Sequence, residues 1–181
     1  MKHHSRGFIP YAVLAGLAAG CGGSAALRME DIPANLRVPP GAVSARQAHA
    51  TGVQIYRYGA DKSDAARFSW ALIRPEADLI DHSGHKMGKH FAGPTWEASD
   101  GSRVTGEVVA RADSPDPKAV PWLLLRANSA AGNGVFGGVR FIQRLRTVGG
   151  AAPAAGCDAA SAGNETRVPY AAEYWFYAAA P

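Results

Sequence analysis

The chain is nearly without cysteine: Cys21 and Cys157 are the only two in 181 residues. If Cys21 is committed elsewhere, no intramolecular disulfide can form and packing alone must hold the core. Cys157 is then either a buried small hydrophobe or an exposed, reactive thiol. Long apolar runs are also missing, which excludes a permanent transmembrane helix of ordinary length. There is no Gly-x-Ser-x-Gly elbow, paired CxxC or phosphate-binding loop, so the usual marks of a nucleophile, a redox dithiol or a nucleotide site are absent and catalysis is the minority reading. Helical periodicity is lacking except, weakly, over residues 42–50.

What is present begins with an address. Lys2 and Arg6 give a positive start, and residues 8–19 form an apolar stretch broken only by Pro10 and Gly16, the pattern of a signal peptide over residues 1–20. Leu17-Ala18-Ala19-Gly20-Cys21 resembles the lipobox of bacterial lipoproteins, although Ala18 holds the place where leucine is usual. Lipid on Cys21 would anchor the chain to a membrane, each buried methylene adding about 0.8 kcal/mol. Gly22 in place of Asp after the cysteine implies an outer-membrane lipoprotein facing the periplasm of the bacterial cell envelope. Cleavage at an A-x-A-like site, giving a secreted or soluble periplasmic protein, is the rival.

Removing the leader takes Lys2 and Arg6 from the 19 basic residues, leaving 17 against 15 acidic ones. That balance is no footprint for nucleic acid. Residues 21–38 then read as a lipid-anchored, flexible tether and residues 39–181 as a single domain.

That domain reads as short segments of period two. Residues 51–58, 68–73, 79–90, 95–98, 103–111, 120–125, 139–148 and 166–177 are the strand candidates, with Asp81-His82-Ser83-Gly84 and Ser99-Asp100-Gly101-Ser102 as hairpin turns. The expected fold is all-β: a single antiparallel β-sandwich or small β-barrel of about eight short strands. Arg140, Arg144 and Arg146 fall on one side of their strand, a face that could meet phosphate or carboxylate but is most simply a solvated outer one. Trp70, Trp96 and Trp122 are equally spaced, which would suit a repeated hairpin, but their surroundings do not match.

Two constellations remain. Asp81, His82, His85 and His90 have ligand chemistry for zinc or copper, but turn-tip histidines are usually just solvated, and neither a metal nor a cofactor is expected. In His90-Phe91-Ala92-Gly93-Pro94-Thr95-Trp96-Glu97 and the following Asp100, an imidazole, an indole and carboxylates gather around a Gly-Pro break. Such a group suits either a polar-lined pocket or a satisfied turn over a core tryptophan.

Pro39-Pro40-Gly41, Gly52-Val53-Gln54-Ile55-Tyr56, Pro75-Glu76-Ala77-x-Leu79, His90-x-x-Gly93-Pro94-Thr95-Trp96-Glu97, Asp100-Gly101-Ser102, Pro121-Trp122-Leu123-Leu124 and Val148-Gly149-Gly150 occur in that order. Together they resemble the family called domain of unknown function 3455, whose members are typically exported proteins of bacteria and fungi. The resemblance implies no reaction, cofactor or ligand, and His82 and His85 do not look like family features. Members often resemble Gln-x-Tyr-x-Cys where this chain has Gln54-Ile55-Tyr56-Arg57-Tyr58, and keep a cysteine near Cys157. The resemblance thus implies that Tyr58 replaces one half of a bridge and touches Cys157, with Cα atoms within about 7 Å.

Two functions are therefore expected. The first is a non-catalytic envelope domain binding a small molecule, glycan or protein partner through Gln54, Tyr56, His90, Trp96, Glu97 and Asp100. The alternative is a hydrolase or isomerase using His90 with Glu97 or Asp100 as acid and base. The address itself is testable. Metabolic labelling with palmitate is expected to mark the wild-type chain and not Cys21→Ser, and label persisting in the variant would remove the lipoprotein reading.

Overall fold

The computed structural model describes residues 28–61, 63–154 and 159–180. Eight antiparallel strands form one sheet that closes into a barrel, each strand pairing with the next in the chain. They are β1 (Ala42–Ala60), β2 (Phe68–Ile80), β3 (Lys86–Phe91), β4 (Thr95–Ala98), β5 (Arg103–Ala112), β6 (Trp122–Ala131), β7 (Val139–Gly149) and β8 (Glu165–Ala179), and β8 pairs back onto β1. Of the two all-β architectures expected, closure selects the barrel. The turns read at Asp81 and Asp100 are the β2–β3 and β4–β5 connections, where Gly84 and Gly101 take the positive φ that such turns require.

The weak helical pattern over residues 42–50 does not form a helix. Those residues are the first half of β1, paired with β8 from Ala42↔Ala179 to Ala50↔Ala172. Alanines spaced along that stretch mimic a helical period, and the long ladder with β8 overrides the local preference.

The wall is uneven in height. β1 has 19 residues, β2 13 and β8 15, whereas β3 has six and β4 four. The β2–β3 ladder covers only Ala77–Ile80 of β2, and the β4–β5 ladder only Arg103–Thr105 of β5. Above the β3–β4 turn, the upper part of β2 and the upper part of β5 run on without a ladder between them. Pro75 sits where β2 has just left its β3 partner, a place where a missing N–H costs no cross-strand bond on that side.

The lower half of the barrel is filled. Trp96, Tyr174, Phe176 and Ile142 point inward, and Ala48, Ala50, Ala98 and Ala172 leave room for them. Phe136, from the β6–β7 loop, closes the lower end with its ring 4.6 Å from that of Phe176. Its loop is held by Asp100, which accepts from the Val135 N–H at 2.9 Å, and by the Ser102 hydroxyl, which accepts from the Phe136 N–H at 3.1 Å. Gly134 belongs to this clasp, since a Cβ there would lie 2.2 Å from the Asp100 carboxylate.

A second cluster lies on the outside. Trp122 and Leu124 of β6 and Leu145 of β7 pack under Ile32, which lies between the short 3-10 turns Met29–Asp31 and Ala34–Leu36, and under Leu36 of the second. Gln143 Nε2 donates to the Leu36 carbonyl at 2.6 Å, and the Tyr177 hydroxyl donates to Gln143 Oε1 at 2.6 Å. β7 therefore buries both faces, and the three arginines do not share one. A bulge between Val139 and Phe141 shifts the alternation, so Arg144 turns toward the lumen and is buried while Arg140 stays exposed. A second bulge between Leu145 and Val148 places Arg146 at φ 48°.

The three tryptophans are no repeat either: Trp96 is inside, Trp122 belongs to the outer cluster, and Trp70 pairs with Tyr58 at 5.1 Å between rings. Cys21 and Cys157 lie outside the described residues, and so does the inferred contact of Tyr58 with Cys157. Because Leu36 is fully buried under the outer wall, Leu36→Ala is expected to cost about 2–5 kcal/mol in urea unfolding through the cavity it leaves. A loss under about 0.5 kcal/mol would mean that this segment is not part of the cooperative fold.

Candidate functional site

The uneven wall leaves the upper half of the lumen open. Above the filled layers is a cavity of about 360 Å³, within the range of ordinary ligand sites. Its inner surface comes from Gln54 and Tyr56 of β1, His90 of β3, Trp96 of β4, Arg144 of β7 and Tyr174 of β8. Leu123 and Leu125 of β6 form its back, and Leu72, Ile73, Val108 and the 92–94 turn form its rim, with Arg74, ion-paired to Glu76, and the exposed Arg111 at its margin. The apolar part of the rim is wet: Leu72 is 52% exposed, Ile73 39% and Val108 42%.

His90 and Trp96 are directly opposed in the β3–β4 register, and their rings stack at 4.5 Å with an interplanar angle of 9°. Tyr174 meets both edge-on, at 5.2 Å and 5.4 Å. The hairpin is tied by its own turn, where the Thr95 hydroxyl donates to the Ala92 carbonyl at 2.8 Å and Gly93 takes φ 119°. His90 Nδ1 lies 2.8 Å from the Thr95 carbonyl oxygen. A carbonyl only accepts, so Nδ1 carries the proton and Nε2 the lone pair. Burial, aided by the charge of Arg144 and opposed by the Thr95 bond, pushes the imidazole down to about 3, so it is neutral near pH 7.

The remaining polar groups are short of partners. Tyr56 is satisfied, its hydroxyl donating to the Gly150 carbonyl at 2.6 Å. Gln54 Nε2 and Trp96 Nε1 are buried without a hydrogen-bond partner, and the buried hydroxyls of Tyr170 and Tyr174 make no bond of good geometry but lie beside each other, with Arg144 next to Tyr174. Tyr170 lies next to this group, and burial raises the pKa of both Tyr170 and Tyr174, so both remain neutral phenols. Arg144 spends Nε and Nη2 on one acceptor, the Pro121 carbonyl, at 3.1 Å and 2.8 Å.

The six residues expected to form a site are thus divided. Gln54, Tyr56, His90 and Trp96 line one cavity; Glu97 and Asp100 do not line it. Glu97 lies between the inward-facing Trp96 and Ala98, and so faces outward, where it is ion-paired with Arg103. Asp100 is spent in the β4–β5 turn on Ser102 and Val135, hydrogen bonds that hold its carboxyl below the usual range. The acid–base pair of His90 with either carboxylate is not assembled. The histidines of the other constellation separate too: His82 and His85 are exposed beside Asp81 at the lower end, and His90 is within the barrel. The sequence pattern puts Arg144 on an outer arginine face and does not single out Tyr174. The inward period of β8 (Tyr170, Ala172, Tyr174, Phe176) could have pointed to the tyrosine, whereas the β7 bulge hid the arginine.

Residues 39–178 match the family described as Protein of unknown function (DUF3455), and the chain belongs to it. No curated protein and no solved structure matches the chain.

The buried imidazole makes stability depend on pH. The unfolded chain takes up a proton near pH 6.5 that the folded chain refuses until about 3, so stability falls as pH drops through that window, approaching about 1.4 kcal/mol per pH unit. Between pH 7.5 and 5, wild type is expected to lose up to about 2 kcal/mol more than His90→Gln in urea unfolding. Equal losses would show that the ring is protonated inside the fold.

Proposed function

We propose that this member of the family is a non-catalytic binding domain whose barrel takes a small molecule with an apolar body into the upper lumen. One observation carries the reading: the cavity is lined by two buried donors, Gln54 Nε2 and Trp96 Nε1, that no other side chain or backbone group satisfies. Buried donors left unpaired each cost about 1–3 kcal/mol, and native folds rarely keep two in one place without an occupant that accepts from them. The rim favours a small amphipathic molecule over a glycan, which would bring hydroxyls to Leu72, Ile73 and Val108. The hydrolase or isomerase alternative has less support, because no carboxylate lines the cavity that holds His90.

With the leader and lipobox-like segment, the proposal places this barrel at the bacterial envelope, tethered through lipid on Cys21. The binding step is tested with the uncharged probe N-phenyl-1-naphthylamine. Its fluorescence is expected to rise saturably with wild-type protein, and the double variant Ile73→Glu, Val108→Glu should weaken binding about tenfold or more, roughly 1.4 kcal/mol. Both side chains are partly solvated, so the fold should survive the change. Absence of saturable binding to wild type, or equal binding to the variant, would defeat the reading.

A further inference from the structure

The charge inside the barrel is one-sided. Arg144 is 9% exposed, its Nε and Nη2 donate to the neutral Pro121 carbonyl, and the neutral Tyr174 hydroxyl lies beside it. No Asp or Glu lines the cavity. The carboxylates that might have served it are spent elsewhere on the outer wall: Glu76 on Arg74 and Arg167, Glu97 on Arg103, Glu107 on Arg126 and Glu165 on Arg57. A guanidinium cannot shed its proton to escape burial, so its charge stays and lacks a counter-ion. It lines the cavity together with the rings of Tyr56, His90 and Tyr174.

The groups beside Arg144 complement a negative charge. Trp96 Nε1 and Gln54 Nε2 are donors without acceptors, and the Tyr174 hydroxyl, beside Arg144, can donate as well. Arginine retains further N–H groups beyond the two given to Pro121, and charge-assisted bonds from such a fork to an oxyanion are the strong ones. The rim on the β2 and β5 side of the cavity is contributed largely by the apolar Leu72, Ile73 and Val108.

We infer that the cavity selects an amphipathic monocarboxylate, its head on Arg144 with Gln54 and Tyr174 and its apolar body toward the Leu72 and Val108 rim. This rests on the binding reading above and adds the charge of the head group. A bound carboxylate supplies the missing counter-charge and accepts from the orphaned donors together, which neither an alcohol nor an amine can do.

The test titrates octanoate, octan-1-ol and octylamine against full-length protein carrying N-phenyl-1-naphthylamine, and follows displacement. Octanoate is expected to bind at least tenfold more tightly than octanol, with octylamine weaker than both. In Arg144→Gln the advantage of octanoate over octanol should fall below threefold while octanol binds as before, and Arg144→Lys should keep part of it. Equal affinity of wild type for acid and alcohol, or an undiminished preference in Arg144→Gln, would overturn the carboxylate and leave the cavity reading intact. Failure of every ligand, including the neutral probe, would overturn both. The wild-type comparison decides the matter even if Arg144→Gln does not fold.

Discussion

The architecture depends on how early one hairpin turns. A barrel closes when each strand finds two neighbours, and closure fixes only that the ladders meet, not that they are equally tall. β3 and β4 turn back at Ala92-Gly93-Pro94, where glycine supplies the positive φ and proline stops the ladder, while β2 and β5 continue upward. The upper wall there is missing two strands. One short turn thus gives the molecule an opening in its side, makes Leu72, Ile73 and Val108 a rim, and leaves the inner residues at that level without a full layer above them.

The same turn fixes the polar side of the lumen. His90 and Trp96 are cross-strand partners in the last rungs before it, and the Thr95 carbonyl, part of the turn, holds the imidazole tautomer. The ring is therefore positioned by backbone that cannot shift without opening the hairpin. Its loss of basicity follows from burial first, with Arg144 adding to it. Two nitrogen bases share one pocket, and only the guanidinium keeps its proton, because its intrinsic affinity for it is far greater. That division leaves Arg144 as the buried positive charge of the cavity, while the other charged groups of its lining, Arg74 and Arg111, are more solvated.

How much of this was legible in the chain differs from residue to residue. The turns at Asp81 and Asp100 were legible because Asp, Ser and Gly in that order have few other uses, and most strands followed from alternation. Gln54, Tyr56, His90 and Trp96 could be singled out as polar or amphipathic groups with apolar neighbours, and they are the ones that line the cavity. Glu97 and Asp100 could not be separated from them, since proximity in sequence does not reveal that adjacent strand residues face opposite sides. Arg144 was hidden by a bulge, one extra residue that reverses the faces of everything after it. Barrel closure was not legible at all, because it depends on β1 meeting β8 across the whole chain.

The continuous apolar run before Arg126 shows how the two halves of the structure are joined. Trp122 and Leu124 point outward, under Ile32 and Leu36, while Leu123 and Leu125 point inward, behind the cavity. A strand buried on one face would alternate with polar residues; this one cannot, since both its faces are covered. β7 repeats the arrangement with Leu145 outside and Arg144 inside. The segment preceding the barrel therefore covers the back of the wall that carries the buried charge, and Gln143, bonded to the Leu36 carbonyl, sits next to Arg144 in the chain. Packing on the outer face thereby helps fix the backbone from which the arginine reaches into the lumen, so the rigidity of the site draws on contacts that no ligand would touch.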